Sequence, residues 1–192
     1  MIMAVLLLAT FQQVNPSARP TARVCGVDRW AVKTLSDTNA EHVDLTDVTA
    51  TTIADLNALP ARRWAEPGRR HPPEEMTVYE VDGIVRKVKA EADRDVHIVL
   101  EDPESPGMTI IVEVADPDCP GARESPHVEA LKAARAMLLS LLRLGRPSDP
   151  RPLLGRRVRV RGVGFYDFPH GQTGRAKNDL ELHPVLAITA LD

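Results

Sequence analysis

Residues 155–191 read GRRVRVRGVGFYDFPHGQTGRAKNDLELHPVLAITAL. Val158 and Val160 alternate with Arg157, Arg159 and Arg161, which is the period of a strand with one buried face. Gly162 and Gly164 then allow that strand to bend. A polar loop follows over 167–178, and a second strand places Leu180, Leu182, Leu186 and Ile188 on one side. A bent strand, a glycine-containing loop and a closing strand are the last pieces of a small barrel, and the chain upstream supplies the others.

TVYEVDGIVRKVKAE (77–91) alternates as a first strand whose pattern slips at Gly83, where a bulge would bend it. DVHIVLED (95–102) puts Val96, Ile98 and Leu100 on one face and Asp95, His97 and Val99 on the other. The SPG turn at 105–107 leads into MTIIVEVAD (108–116), with Met108, Ile110, Val112 and Val114 inward and Thr109, Ile111 and Glu113 outward. One long helix comes next. Ser125 is placed to cap it, Pro126 to occupy its first position and Gly145 to end it. Val128, Leu131, Ala134, Leu138 and Leu141 or Leu142 form its buried stripe. The order β-β-β-α-β-β predicts a mainly β fold with one long helix, an OB-fold-like five-stranded Greek-key barrel over residues 76–192. Its third strand lies beside its fifth, where incomplete pairing tolerates Pro184.

An irregular N-terminal extension precedes the barrel. MIMAVLLLAT reads as a degraded or truncated export signal followed by a mobile segment to residue 24, with a cytoplasmic N-terminus as the alternative. The run is far below the ~20 apolar residues that span a bilayer, so no transmembrane span is expected. Residues 25–75 read as an extended arm anchored by Trp30, a short helix after Thr51 and Thr52, and a Pro/Arg-rich loop pinned by Trp64. Cys25 and Cys119 would form a disulfide if the chain is exported and remain thiols if it is cytosolic.

Charge is uneven along the chain. Residues 74–118 hold 13 acids against four bases, and residues 143–177 hold nine bases against two acids. Such a split either steers a polyanion to one face or is neutralised between two faces. Only seven Phe, Tyr and Trp residues are present, which argues against a broad base-stacking surface and leaves nucleic acid a weakly supported partner.

The reactive side chains fall on strand faces and in one loop. Asp95 and His97, Glu113, and Glu181 and His183 lie on three strands, two of them neighbours of the third in the expected barrel. They form a candidate divalent-metal set of mixed oxygen and nitrogen ligands suited to Zn or Mn, or else simply exposed strand faces. The loop between the fourth and fifth strands adds Asp167, His170, Gln172, Lys177 and Asn178 as candidate ligand-binding residues. Gly171 and Gly174 would let backbone N–H groups converge on an anion; the alternative is ordinary turn geometry. No P-loop and no G-x-S-x-G nucleophile setting is present. Cys119 sits in a Pro-flanked turn poorly suited to a nucleophile.

Trp30–Asp37 (WAVKTLSD), Asp93–His97, Glu113–Cys119 and Gly162–Val185 together resemble a family of uncharacterised, often exported bacterial proteins. That family closes on G-V-G-F-x-D…H-G-Q-T-G-x-A-x-N…E-L-H-P-V, and the likeness extends over about residues 25–189. Arg175 and Lys177, flanking Ala176, depart from its expected apolar residue and proline. The resemblance implies the OB-like fold more than an activity. A looser likeness to thermonuclease-like OB-folds sets Asp93, Asp95, Glu113 and Arg161 beside that family's metal and phosphate ligands, at the level of fold alone. The resulting expectation is a small exported binding module of unknown ligand centred on the loop between strands four and five. The alternatives are a metal-dependent phosphodiesterase or nuclease, with Arg159 or Arg161 on the phosphate, and a purely structural interaction domain.

Overall fold

The computed structural model describes residues 25–26, 28–62, 66–142, 150–169 and 171–191. The export-signal reading of 1–24, Trp64, Gly145 and His170 all lie outside them. Five strands close a barrel: β2 (Val78–Ala90), β3 (Val96–Glu101), β4 (Thr109–Val114), β5 (Arg157–Tyr166) and β6 (Leu180–Ala190). A short β1 (Val48–Ala50) adds to its edge in parallel with β2. The sheet order is β1-β2-β3-β4-β6-β5, and pairing of β2 with β5 closes the ring. β4 and β6 are parallel and share the single register pair Val112 with Leu182, as the sequence anticipated. This is an OB-fold-like barrel with one long helix, α3 (Val128–Leu141).

Closure depends on bending. β2 pairs with β5 through its first half and with β3 through its second, so it must change direction between them. The register shifts between Val85 and Lys87, not at Gly83. Gly83 serves close packing instead: a Cβ there would lie 2.8 Å from the Leu100 Cβ and 3.1 Å from the Ile53 Cδ1. The bend expected at Gly162 is present, with register shifts on both sides of it. Those shifts also bring Val185 rather than Leu186 into the barrel core; Leu186 packs beside Trp30 and the disulfide.

The core combines the inward faces of the strands with Ala134 and Leu138 of α3 and with Leu142 just beyond it. The helix starts later than its sequence suggests. His127 precedes its first turn, and Ser125 lies outside it, donating to the Leu35 carbonyl at 2.6 Å and accepting from the His127 N–H at 3.1 Å. Ser125 therefore tethers the N-terminal arm instead of capping the helix. The outer face of the barrel is covered as well. Val99 and Ile111, expected to point outward, are 4% and 0% exposed. Gly174 crosses Val99 so closely that no Cβ would fit between them.

The arm is folded rather than extended. Residues Trp30–Lys33 form a short helix, α1, and Trp30 Nε1 donates to the Pro120 carbonyl at 2.6 Å. The helix predicted after Thr52 is α2 (Ile53–Ala58), whose first turn is capped by the Thr52 hydroxyl accepting from the Asp55 N–H at 3.0 Å. A Cys25–Cys119 disulfide joins residues 94 apart in sequence. Beneath it, the Arg29 guanidinium forms a two-pronged pair with Glu75, at 2.8 and 2.7 Å, with both side chains shielded from solvent. Arg29 also donates to the Tyr166 carbonyl, and Glu75 accepts the Tyr166 and His71 N–H groups.

Glu75→Ala should cost about 3–5 kcal/mol, because it leaves a guanidinium buried without its counter-charge. Urea denaturation measures this; a loss below about 1 kcal/mol would mean that the arm contributes little to the fold.

Candidate functional site

The fold brings four of the five predicted metal-set residues together, Asp95, His97, Glu113 and His183; Glu181, opposite Phe165 in the β5–β6 register, is not one of the converging ligand residues. His97 on β3 faces Glu113 on β4 directly across the antiparallel ladder. Its Nδ1 donates to Glu113 Oε1 at 2.9 Å. Asp95, at the entry to β3, is fully buried and accepts the Asp116 N–H on Oδ1 at 2.9 Å. One oxygen of each carboxylate is thus held, and the other turns toward His183 of β6. Asp95 Oδ2 lies 3.3 Å from His183 Nε2, and Glu113 Oε2 lies 3.2 Å from His183 Nδ1. Neither approach is aligned as a hydrogen bond: Asp95 Oδ2 and both His183 ring nitrogens are buried without one. Asp95, Glu113 and His183 each offer a ligand atom, and these atoms lie within 4.8 Å of one another.

Around this cluster the electrostatics diverge. Burial alone would raise the Glu113 carboxyl, but the His97 hydrogen bond and the charges of His183 and Lys33 outweigh it and hold it at about 2. Glu181, also fully enclosed, goes the other way. Burial, followed by repulsion from Glu113 and Asp167, pushes its carboxyl well above the usual range, against the attraction of Lys33. Asp93 is raised by burial and by the neighbouring Asp95. Lys33 of α1 extends over the Phe165 ring, its Nζ 5.3 Å from the centroid. Burial disfavours its charge, yet Asp167, Glu113, Glu181 and Asp93 together keep the ammonium above its ordinary value.

Outside the cluster lies a cleft of about 460 Å³. Lys87 and Lys89 of β2 form one wall; Asp167, Gly171, Gln172 and Thr173 of the β5–β6 loop form another. Its floor carries His97, Glu113 and Lys33, and the β2–β3 turn contributes Glu91, Ala92 and Asp93. Lys87 Nζ donates to Thr173 Oγ1 at 3.0 Å, and Gln172 Nε2 donates to Asp167 Oδ2 at 2.9 Å, so the loop is tied to the barrel at the cleft rim.

Of the loop residues singled out by sequence, Asp167 and Gln172 reach the cleft and two do not. Asn178 is buried and structural. Its amide donates to the Leu56 and Leu59 carbonyls at 2.8 and 3.0 Å, which holds the end of α2. The exposed Lys177 is absent from the cleft walls, and its backbone N–H donates to Asn57 Oδ1. The arginine row of β5 also lies elsewhere. Arg159 and Arg157 reach Asp82, and Arg161 reaches Glu80 at 2.5 Å, on the face where β5 pairs with β2. Three of the nine bases of residues 143–177 are paired there with two of the 13 acids of residues 74–118. Cys119 has no free thiol. Lys33, Lys87, Lys89 and Glu91 were not anticipated as site residues. For Lys89 the signal was present, since it sits opposite His97 in the β2–β3 register.

No protein-family model and no curated protein sequence matches the chain. Among solved structures it is similar to a protein assigned as an aspartyl-tRNA synthetase from Leishmania major Friedlin, at 13% identity and a TM-score of 0.40. That likeness covers 74% of this chain and 20% of the other, so this chain spans a small part of that protein's length. No helix among the described residues is long and apolar enough to cross a membrane.

Glu181 gives a pH signature. A carboxyl whose pKa is raised on folding contributes stability that is full below its unfolded value and is lost as pH rises toward its folded one. Glu181→Gln should therefore melt higher than the unsubstituted chain at pH 8 in chelator-treated buffer. The advantage should vanish as pH falls below the ordinary carboxyl value of 4.5. Thermal melts across this range check it; a pH-independent difference would place the ionisation elsewhere.

Proposed function

We propose that this protein is a small exported binding module whose cleft holds a polar, charged small molecule. The observation that supports this most directly is the position and lining of the cleft. OB barrels bind ligands on the face of their second and third strands, between the loops that join strands one to two and four to five. Here those parts are β3, β4, the 91–95 turn and the 167–179 loop, and each of them supplies residues to the cleft wall. Lys33, Lys87 and Lys89 share the lining with Asp93, Glu113 and Asp167, and among the described residues no Phe, Tyr or Trp lines the space. Such a lining suits a ligand with charge of its own and disfavours stacked bases.

Export is supported by the Cys25–Cys119 disulfide, which persists in oxidising compartments. The phosphodiesterase reading has less support, because the arginines it calls on are paired with Asp82 and Glu80 away from the cleft. A purely structural role would favour a broad apolar patch. Among the described residues, the exposed large apolar side chains are Met137, Leu154 and Leu191, on three separate segments.

The test is a thermal-shift and calorimetric panel of inorganic phosphate, dicarboxylates, amino acids, nucleotides and a short oligothymidylate. At least one small charged compound should bind, and Lys87→Ala with Lys89→Ala should weaken it about tenfold. Stability should stay within about 0.5 kcal/mol, since both lysines are exposed. A panel without a hit, or hits that bind the double variant equally well, would count against the cleft; a hit confined to the oligonucleotide would favour a nucleic-acid partner.

A further inference from the structure

We infer that Asp95, Glu113 and His183 form a divalent-cation site at the base of the cleft. The inference rests on the arrangement of these three side chains and not on the identity of any cleft ligand.

Buried polar atoms in folded proteins nearly always have partners, so those that lack them call for an explanation. Here three such atoms lie together, Asp95 Oδ2 and the two ring nitrogens of His183. The flanking carboxylates are already oriented from behind, Asp95 by the Asp116 N–H and Glu113 by His97. Hydrogen bonds of this kind, made to the oxygen that does not ligate, fix the direction of metal ligands and tune them.

The spacing also fits. Two ligands bound at ~2.1 Å to one ion are separated by roughly 3.0–3.4 Å when they are neighbours in its shell. Glu113 Oε2 is 3.2 Å from His183 Nδ1, within that range, while Asp95 Oδ2 is 3.3 Å from the other nitrogen, Nε2; one ligand atom from each of the three side chains lies within 4.8 Å of the other two. A hydrogen bond would place each oxygen along the axis of its ring nitrogen. A shared cation lies on that axis itself and leaves the oxygen to one side, which is the misaligned geometry present here. Only one ring nitrogen can bind a given ion; Nδ1, beside the carboxylate that reaches the cleft, is assigned that role, and Asp95 Oδ2 approaches the same ion from beside the ring rather than along Nε2.

Access favours the Glu113 side. Asp95 and His183 are closed to solvent, whereas the Glu113 side chain is 12% exposed and lines the cleft. An ion held there keeps coordination positions toward the cleft for water or for a polar ligand. Two carboxylate oxygens and an imidazole form a borderline set, suited to Zn²⁺ or Mn²⁺.

The experiment is calorimetric titration of the purified, disulfide-bonded chain with ZnCl₂ and MnCl₂ after chelator treatment and removal of the chelator. CoCl₂ serves as a spectroscopic probe. One equivalent of at least one ion should bind, and bound Co²⁺ should show d–d absorption. Glu113→Gln and Asp95→Asn should each weaken binding at least ~10-fold, and His97→Ala should weaken it ~10–100-fold through loss of its hold on Glu113. Glu129→Gln, which removes an exposed carboxylate on α3, should leave affinity unchanged. A wild-type chain that takes up neither Zn²⁺ nor Mn²⁺ overturns the inference. So does an affinity equal to wild type in Glu113→Gln, the isosteric change at the member of the set that reaches the cleft, with folding of that variant checked by circular dichroism.

Discussion

The buried pair of Arg29 with Glu75 is the contact on which the rest of the arrangement depends. A guanidinium and a carboxylate removed from water are tolerable only when nearly every donor and acceptor is met. Here Glu75 accepts from Arg29, His71 and Tyr166, while Arg29 also reaches the carbonyls of Arg69 and Tyr166. Three separate segments are joined at one point: the arm, the loop before β2 and the end of β5. The Arg29 guanidinium also lies 4.7 Å from the centre of the Phe165 ring, so the same pair sets the height of the arm above the barrel.

Position of the arm decides the composition of the site. One turn beyond Arg29, Lys33 extends over that ring, and the ring meets His183 edge-on at 5.6 Å. Phe165 is thus contacted by two cations of the arm and by the imidazole of β6. Lys33 brings positive charge to a region otherwise rich in carboxylates, and its presence helps Glu113 remain ionised. Glu181, one register step from the cluster and enclosed by like charges, responds in the opposite sense. Two carboxyls of the same chemistry are driven apart by burial and neighbours, a separation that recurs where side chains have distinct roles.

Much of the outer barrel face behaves as a second interior. Val99 and Ile111 are buried although they alternate with the core positions, and Asp95, His97 and Glu113 share their side of the strands. Strand alternation correctly put these three on the face opposite the core. It could not show that this face would be roofed by the arm and by the 171–178 segment. Polar groups that would be ordinary on a wet strand become consequential once water is excluded.

Local pattern and strand order were therefore enough to determine the barrel, its single long helix, the bend at Gly162 and the strand face that Asp95, His97 and Glu113 share. The barrel and the shared face follow from period-two alternation and strand order, the bend from glycine placement, and the helix from its apolar stripe at helical spacing. The convergence on His183 is left open, since the same alternation fits a wet strand face. What only the tertiary structure decided are features set by contacts between residues far apart in sequence. Lys33 enters the site because Arg29 and the disulfide dock the arm, Asn178 leaves it because α2 needs its amide, and the β5 arginines face Asp82 and Glu80. Leu186 moves out of the barrel core because the β5–β6 register shifts. None of these contacts has a local periodicity to announce it, since each depends on how distant surfaces meet when the barrel closes and its outer face is covered.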